Sequence, residues 1–342
     1  MPSSIEKIAE LVGVSATTIS RAFSGKGYVS EETREKIMQA AQEIAYQPKQ
    51  YKKRTNTVFS NKLGVVIPDI CNTYYMEVIH GIESITEKHG VEVLICNTDE
   101  DPNKEIRCLN MLEEIKVNGV IAVPVSEAEK YNAEYLIHMN SSGIPVVLLD
   151  RDLANCNIDG VFMDNFNSAY QGVRKFIQNG HTEIAIICGP LTSTSGLARL
   201  NGYKAALQEH HIPIREEYIL YGDFKFELAY HLTKEFVAQK TNVTAIFAAN
   251  SRMSMGCLFA LTEMGLSVPE DIAFISCGRL GLEYSRISSI VYPTMAIGAE
   301  CARILLEKMQ AGKKQAACPK KRTTFEMEWL LRGSERFPAN RR

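Results

Sequence analysis

Apolar residues recur at helical spacing through the first 46 positions, and beyond them at the spacing of short strands alternating with helices. Ile5, Ile8, Ala9 and Val12 repeat with a helical period behind Ser3 and Glu6, which stand at the spacing of a capping box. Gly13 stops that helix. Ser15 is placed to cap a second, whose apolar side is Ile19, Ala22 and Phe23, so that Ala16, Thr17, Ser20 and Arg21 share the opposite face. After Gly25-Lys26-Gly27, Ser30 opens a third helix with Ile37, Ala40, Ala41 and Ile44 inward, and Tyr46-Gln47-Pro48 ends it. Two helices joined by a short Gly-containing turn and braced by a third predict a helix-turn-helix module.

From Leu63 the pattern changes. Apolar runs at 63–68, 91–96, 119–125, 145–149, 161–163, 184–188, 245–248 and 272–276 predict strands, and amphipathic stretches lie between most of them. Tyr75, Val78, Ile79 and Ile82 ending at Gly90 form one; Ala169, Val173, Phe176 and Ile177 ending at Gly180 form another. Alternating β and α units make parallel sheets covered by helices on both faces. About 280 residues of this pattern exceed one comfortable core, so two α/β subdomains are expected.

Composition narrows the class. The chain has 342 residues with 45% hydrophobic and 23% charged, which excludes disordered and fibrous proteins. No apolar run approaches the roughly 18 residues of a membrane helix, and the start, MPSSIEKIAE, lacks a signal peptide's basic-then-apolar layout. A cytoplasmic protein is expected, with no membrane partner. Nine cysteines without a C-x-x-C pair fit neither a disulfide framework nor a zinc ribbon, and read as reduced thiols with no metal site. Net charge is -2, but residues 1–62 carry ten Lys and Arg against six Glu and no Asp. Lys49, Lys52, Lys53, Arg54 and Lys62 form a local basic excess that suits a polyanion, and equally suits a solvated linker.

Ligands of open parallel sheets bind at the carboxyl ends of strands. The residues that follow the apolar runs there are polar: Asp69, Asn97-Thr98-Asp99, Asp150-Arg151, Asp164-Asn165, Asn250-Ser251-Arg252 and Gly278-Arg279. With Tyr74 and Tyr75 after the first strand, this set suits a small polyhydroxylated ligand whose apolar faces stack on rings. For any single position, a loop simply beginning with a polar residue explains the pattern as well.

The residues also resemble a known family. Ile5-Glu-Lys-Ile-Ala-Glu-Leu-Val-Gly-Val-Ser-Ala-Thr-Thr-Ile-Ser-Arg21, Val29-Ser-Glu-Glu-Thr-Arg-Glu-Lys-Ile37 and Ala45-Tyr-Gln-Pro48 resemble the DNA-binding head of the lactose-repressor (LacI) family. Gly64-Val-Val-Ile-Pro-Asp69, Gly143-Ile-Pro-Val-Val-Leu-Leu-Asp150, Gly180-His181, Ala198-Arg199-Leu-Asn-Gly-Tyr203 and Val268-Pro-Glu-Asp-Ile-Ala273 resemble its regulatory core, so the match runs in order through nearly the whole chain. It implies an all-α helix-turn-helix headpiece (1–48), a hinge (49–62), and a periplasmic-binding-protein-like α/β core. That core would have two parallel-sheet subdomains, 63–162 with 293–322 and 163–292 with 323–342.

By this resemblance the second helix enters the major groove, with Ala16, Thr17, Ser20 and Arg21 on DNA and Lys53, Arg54 and Thr55 in the hinge. Arg21 can donate two bonds to guanine, a contact of roughly 1 to 3 kcal/mol in discrimination. From spacing alone a phosphate contact suits it equally, and the resemblance favours the base. The family's minor-groove leucine falls at Thr55 here, a smaller apolar wedge. The implied effector residues are Tyr74, Tyr75, Asp150, Arg199, Asn250, Arg252, Gly278 and Arg279. Where the family has Asn-Asp this chain reads Asn250-Ser251, and where it has Phe-Asp-Asp, Cys277-Gly278-Arg279. Two carboxylates are thus replaced beside two arginines, which puts a sugar acid or sugar phosphate beside a neutral sugar as a candidate effector; Arg252 and Arg279 turned to solvent, or a cleft that has lost its ligand, fit the same residues.

The expected function is therefore a DNA-binding transcriptional regulator, a repressor controlled by a small sugar-like effector, without cofactor or catalytic residues. The alternatives are an enzyme or a small-molecule-binding protein on the same fold. The enzyme reading lacks a G-x-S-x-G elbow, a phosphate loop, a G-x-G-x-x-G turn and zinc spacing. Palindromic half-sites call for a homodimer on double-stranded operator DNA, and no leucine heptads near 337–342 suggest a tetramer.

Overall fold

The computed structural model describes residues 4–24, 29–43, 61–125, 130–153, 156–239, 242–280, 286–311 and 319–336. The chain divides into two compact units, 1–59 and 60–342. In the first, α1 (Ser4–Val12), α2 (Ala16–Ser24) and α3 (Glu31–Glu43) surround a small core of Ile8, Ile19, Ala22, Ile37, Ala40 and Ala41. The Ser15 hydroxyl accepts from the Thr18 amide at 3.1 Å and caps α2, while Ser30 does the same for Thr33 at the start of α3.

The second unit holds two six-stranded sheets. β1 (Lys62–Ile67), β2 (Glu92–Asn97), β3 (Gly119–Ala122), β4 (Val146–Leu149) and β5 (Asp159–Met163) are joined through α4 (Thr73–Thr86), α5 (Pro102–Glu114) and α6 (Lys130–Ser141). The chain then builds β6 (Ile184–Cys188), β7 (Ile219–Tyr221), β8 (Ala245–Ala248), β9 (Ala273–Cys277) and β10 (Ser288–Val291), with α7 (Asn165–Gln178), α8 (Thr194–Glu209), α9 (Phe226–Ala238) and α10 (Ser251–Glu263). It returns through α11 (Thr294–Ala311) to β11 (Arg322–Phe325) and ends in β12 (Glu328–Leu330). Strand order is β11-β5-β4-β3-β1-β2 in the first sheet and β12-β10-β9-β8-β6-β7 in the second.

Every neighbour in the first sheet is parallel. The second is parallel except at its edge, where β12 runs antiparallel to β10. The two expected parallel sheets are present, with one antiparallel strand at the edge of the second: β12 follows β11 after a short crossing from the other sheet. Three crossings join the sheets, β5 to α7, β10 to α11 and β11 to β12.

Central strands are buried along their whole length, as sheets covered on both faces require. In the first subdomain, α4 and α11 approach so closely that a Cβ on Gly298 would run into the Val78 carbonyl. A buried ion pair, Lys308 Nζ to Asp159 Oδ2 at 3.2 Å, fastens α11 to β5, and the Asp159 Oδ1 atom accepts from the Lys321 amide at 2.7 Å. In the second subdomain His181 is fully buried, its Nδ1 2.9 Å from the Thr244 hydroxyl and its ring edge-on to Phe176. Burial pushes its pKa down to about 4.

Candidate functional site

Each sheet reverses strand order at its first strand, β1 lying between β2 and β3 and β6 between β7 and β8. Such switch points leave a crevice at the carboxyl ends. The loops after both sets of strands line one cavity of about 180 Å³.

The first sheet supplies an acid and two rings. Asn72 caps α4, accepting from the Tyr74 amide at 3.1 Å, and so fixes the turn that carries Tyr74 and Tyr75. The two rings meet edge to face at 5.0 Å. The Tyr75 hydroxyl donates to Asp150 Oδ2 at 3.1 Å, and the Tyr74 hydroxyl to Met163 Sδ at 3.3 Å. Burial first, and the Asp150 charge second, hold both phenols well above their ordinary pKa, so they remain donors at neutral pH. Asp150 sits just past β4 at φ 64 and is 8% exposed, and its Oδ1 has no hydrogen-bond partner. A left-handed backbone at a non-glycine residue costs free energy, and is characteristic of positions held for function.

Arg151 has a different task from its neighbour. Its guanidinium donates to Glu100 at 2.8 and 2.6 Å and to the Val125 carbonyl at 2.8 Å, so its two terminal nitrogens brace the wall, while its Nε has no partner. Its flat face lies 5.4 Å from the centre of the Phe224 ring, which comes from the second sheet.

From the second subdomain come a base and an amide. Arg199 on α8 is 7% exposed; one terminal nitrogen donates to the Ala249 carbonyl at 2.7 Å, while its Nε has no partner. Asn250 caps α10 by accepting from the Met253 amide at 2.7 Å. Gly278 has φ 108, and a Cβ there would lie 3.3 Å from Ser251. Phe224, at φ 56 after the three-residue strand β7, lies over Gly189 so closely that a Cβ on Gly189 would enter its ring.

The family models decide the assignment. Residues 4–49 match the model for "Bacterial regulatory proteins, lacI family", and residues 60–322 that for "Periplasmic binding proteins and sugar binding domain of LacI family". The chain belongs to the LacI family. It is 29% identical to the HTH-type transcriptional repressor PurR of Actinobacillus pleuropneumoniae serotype 3 (strain JL03), over 98% of each chain. A solved complex of the transcriptional regulator CelR with cellobiose is 25% identical, covers 98% of this chain and 100% of that one, and superposes with a TM-score of 0.72. A LacI family regulator from Enterococcus faecium with bound ribose is 26% identical over 80% of this chain and 98% of its own, with a TM-score of 0.69. This LacI family member is thus a DNA-binding transcriptional regulator with an effector-binding core.

Tyr74, Tyr75, Asp150, Arg199, Asn250 and Gly278 line the cavity together. Arg252 and Arg279, expected beside them, are not among the lining residues. The Arg252 Nε lies 3.4 Å from Asp69 Oδ2, at a distance of attraction but without hydrogen-bond alignment, because the first turn of α10 directs it at the opposite rim. Arg279 follows Gly278 outward and is exposed. The sequence reading missed Phe224, Cys277 and Tyr292 in the lining, as well as Glu100 and its pair with Arg151. Gly222-Asp223-Phe224 after an apolar Ile219-Leu220 was the available signal for Phe224, hidden by the shortness of β7.

On the head, Ala16, Thr17 and Arg21 are exposed on α2, opposite the buried Ile19 and Ala22. Ser20 belongs to the same helix. Lys53, Arg54 and Thr55 lie outside the described residues.

Proposed function

We propose that this protein is a cytoplasmic dimeric repressor, without enzymatic activity, that reads operator DNA through α2 and releases or grips it according to a small uncharged sugar-like effector. The proposed boundaries remain a head at 1–48, a hinge at 49–62, and subdomains at 63–162 with 293–322 and 163–292 with 323–342. Ala16, Thr17, Ser20 and Arg21 read bases, and Lys53, Arg54 and Thr55 form the hinge contact with the minor groove. The effector set is Tyr74, Tyr75, Asp150, Arg199, Asn250 and Gly278.

One observation carries the effector class: Asp150 Oδ1 and Arg199 Nε, together with the Nε of Arg151 whose terminal nitrogens Glu100 holds, are buried without partners among the residues of the same cavity. A buried unmet acceptor and a buried unmet donor are costly until a ligand satisfies both. A hydroxyl donates to the first and a ring or hydroxyl oxygen accepts from the second, while Tyr74, Tyr75 and Phe224 offer ring faces to C–H groups. The cations near the cavity are committed elsewhere, Arg151 to Glu100, Lys225 to Asp223 at 2.9 Å and Arg252 to Asp69. Arg199 faces a lining that holds Asp150, so a full negative charge gains little. This favours a neutral sugar over a sugar acid or sugar phosphate. The sugars in the CelR and Enterococcus faecium complexes agree with that class.

Binding biases the two subdomains toward one relative arrangement, and the proposed hinge at 49–62 passes that bias to the heads. Isothermal titration of neutral sugars, sugar acids and sugar phosphates tests the effector class. Binding of a phosphate ester in preference to every neutral sugar overturns it. A gel shift with and without residues 1–62 tests the DNA assignment, which fails if specific binding survives the deletion.

A further inference from the structure

Four contacts cross the cleft, and none of them involves Asp150 Oδ1 or Arg199 Nε. Arg252 Nε approaches Asp69 Oδ2 at 3.4 Å, and next to it the Ser251 hydroxyl donates to Asn72 Oδ1 at 3.4 Å. The Asp152 amide donates to the Thr194 hydroxyl at 3.1 Å, and Phe224 packs under the Arg151 guanidinium. In every case one partner follows a strand of the first sheet and the other belongs to a loop or helix start of the second.

Charge is distributed to match. Asp69 stands on the rim of the first subdomain and Arg252 on the facing rim, whereas Asp99, Glu100 and Lys225 are paired within their own rims, with Lys104, Arg151 and Asp223. Opposite charge on two bodies that move relative to one another draws them together, and salt weakens the attraction where the groups are partly exposed. Arg252 and Asp69 are 33% and 32% exposed, which leaves them open to such screening.

We propose that Arg252 and Asp69 form a clasp that closes this cleft before any effector binds. Arg252 is then a positioning residue: it touches no ligand, and sets the fraction of molecules whose cavity walls already stand at binding distance. An ion pair of this exposure shifts a closed-to-open ratio by up to about fivefold. The effector meets a largely assembled site, and its apparent affinity rises with the closed fraction.

Hydrogen exchange followed by mass spectrometry on the full chain, with no ligand present, tests the clasp. The Asp152 amide is the reporter, since its bond crosses the cleft and position 152 is far along the chain from 252. Arg252→Ala and Asp69→Asn should each speed exchange at Asp152 and in peptides covering 222–226, by up to about fivefold. High salt should do the same to the wild type and add nothing to Arg252→Ala. The swap Asp69→Arg with Arg252→Asp should restore slow exchange; if it does not fold, the charge-preserving Arg252→Lys serves as the rescue. Unchanged exchange at Asp152 in Arg252→Ala, or a change confined to the peptide that carries the substitution, overturns the proposal.

Discussion

Tyr75 and Asp150 are joined by a 3.1 Å hydrogen bond that occupies one carboxylate oxygen and leaves the other, Oδ1, bare inside the cavity. The phenol orients the acid while the left-handed backbone at Asp150 delivers it. Asp150→Asn should therefore weaken binding of a neutral sugar by about 1.5 to 3 kcal/mol, a hydrogen bond to a charged group being lost. Tyr75→Phe should weaken it less, by about 1 kcal/mol, because only the orienting bond goes. Titration calorimetry with any sugar the wild type binds measures both.

The buried pair of Lys308 with Asp159 is expected to matter more when broken than when removed. Lys308→Met alone leaves the Asp159 charge buried and should cost about 3 to 5 kcal/mol of core stability. Lys308→Met with Asp159→Asn should recover a large part, since the amide keeps an acceptor for the Lys321 backbone. Denaturant melts of the three proteins give the comparison.

His181 sets a pH dependence. The neutral ring is favoured inside, with a pKa of about 4, and the unfolded chain takes up a proton near the ordinary 6.5. Its folded value being lower, the unfolded state binds more protons as pH falls, so stability is full above pH 6.5 and drains away toward pH 4. The loss amounts to about 2 kcal/mol once residual solvent screening is allowed for. His181→Gln should flatten the melting temperature over that window.

At Gly278 the backbone has φ 108 and Ser251 stands 3.3 Å from where a Cβ would be. Gly278→Ala should lower stability by about 1 to 3 kcal/mol through strain, and Gly278→Asp should do no better despite restoring a carboxylate found in the family. A thermal melt showing either substitution to be neutral would contradict the strain.

For the head, Arg21→Ala should flatten preference at one base of each half-site at a cost of about 1 to 3 kcal/mol. Uniform weakening on all sequences in a gel-shift competition would place Arg21 on phosphate.

How far these features were legible in the sequence depends on length and on partners. Eight strands announced themselves as apolar runs, most of them buried along their length, as in Ile184–Cys188 and Ala245–Ala248. β7, β10, β11 and β12 did not: β7 and β12 have three residues each, and β11, with alternate residues exposed on an edge, is polar at Arg322, Thr323 and Thr324. At the site, position after a strand was enough to find Asp150 and Asn250, because the backbone alone carries them to the crevice. It misled for Arg252, whose direction is decided by Asp69 some 180 residues earlier, a pairing no local pattern encodes. The Arg151 pair with Glu100 was hidden in the same way.

The last two strands impose an order of manufacture. α1 to α3 emerge from the ribosome ahead of the sheets and bury a core of their own, whereas each large sheet waits for an edge strand from residues 322–330. A chain halted in synthesis short of them has a finished reading head and two unfinished halves of a sensor. The sensing core is thus completed after the reading head, and a product that stops ahead of residue 322 keeps the head's three helices while both of its sheets lack an edge strand.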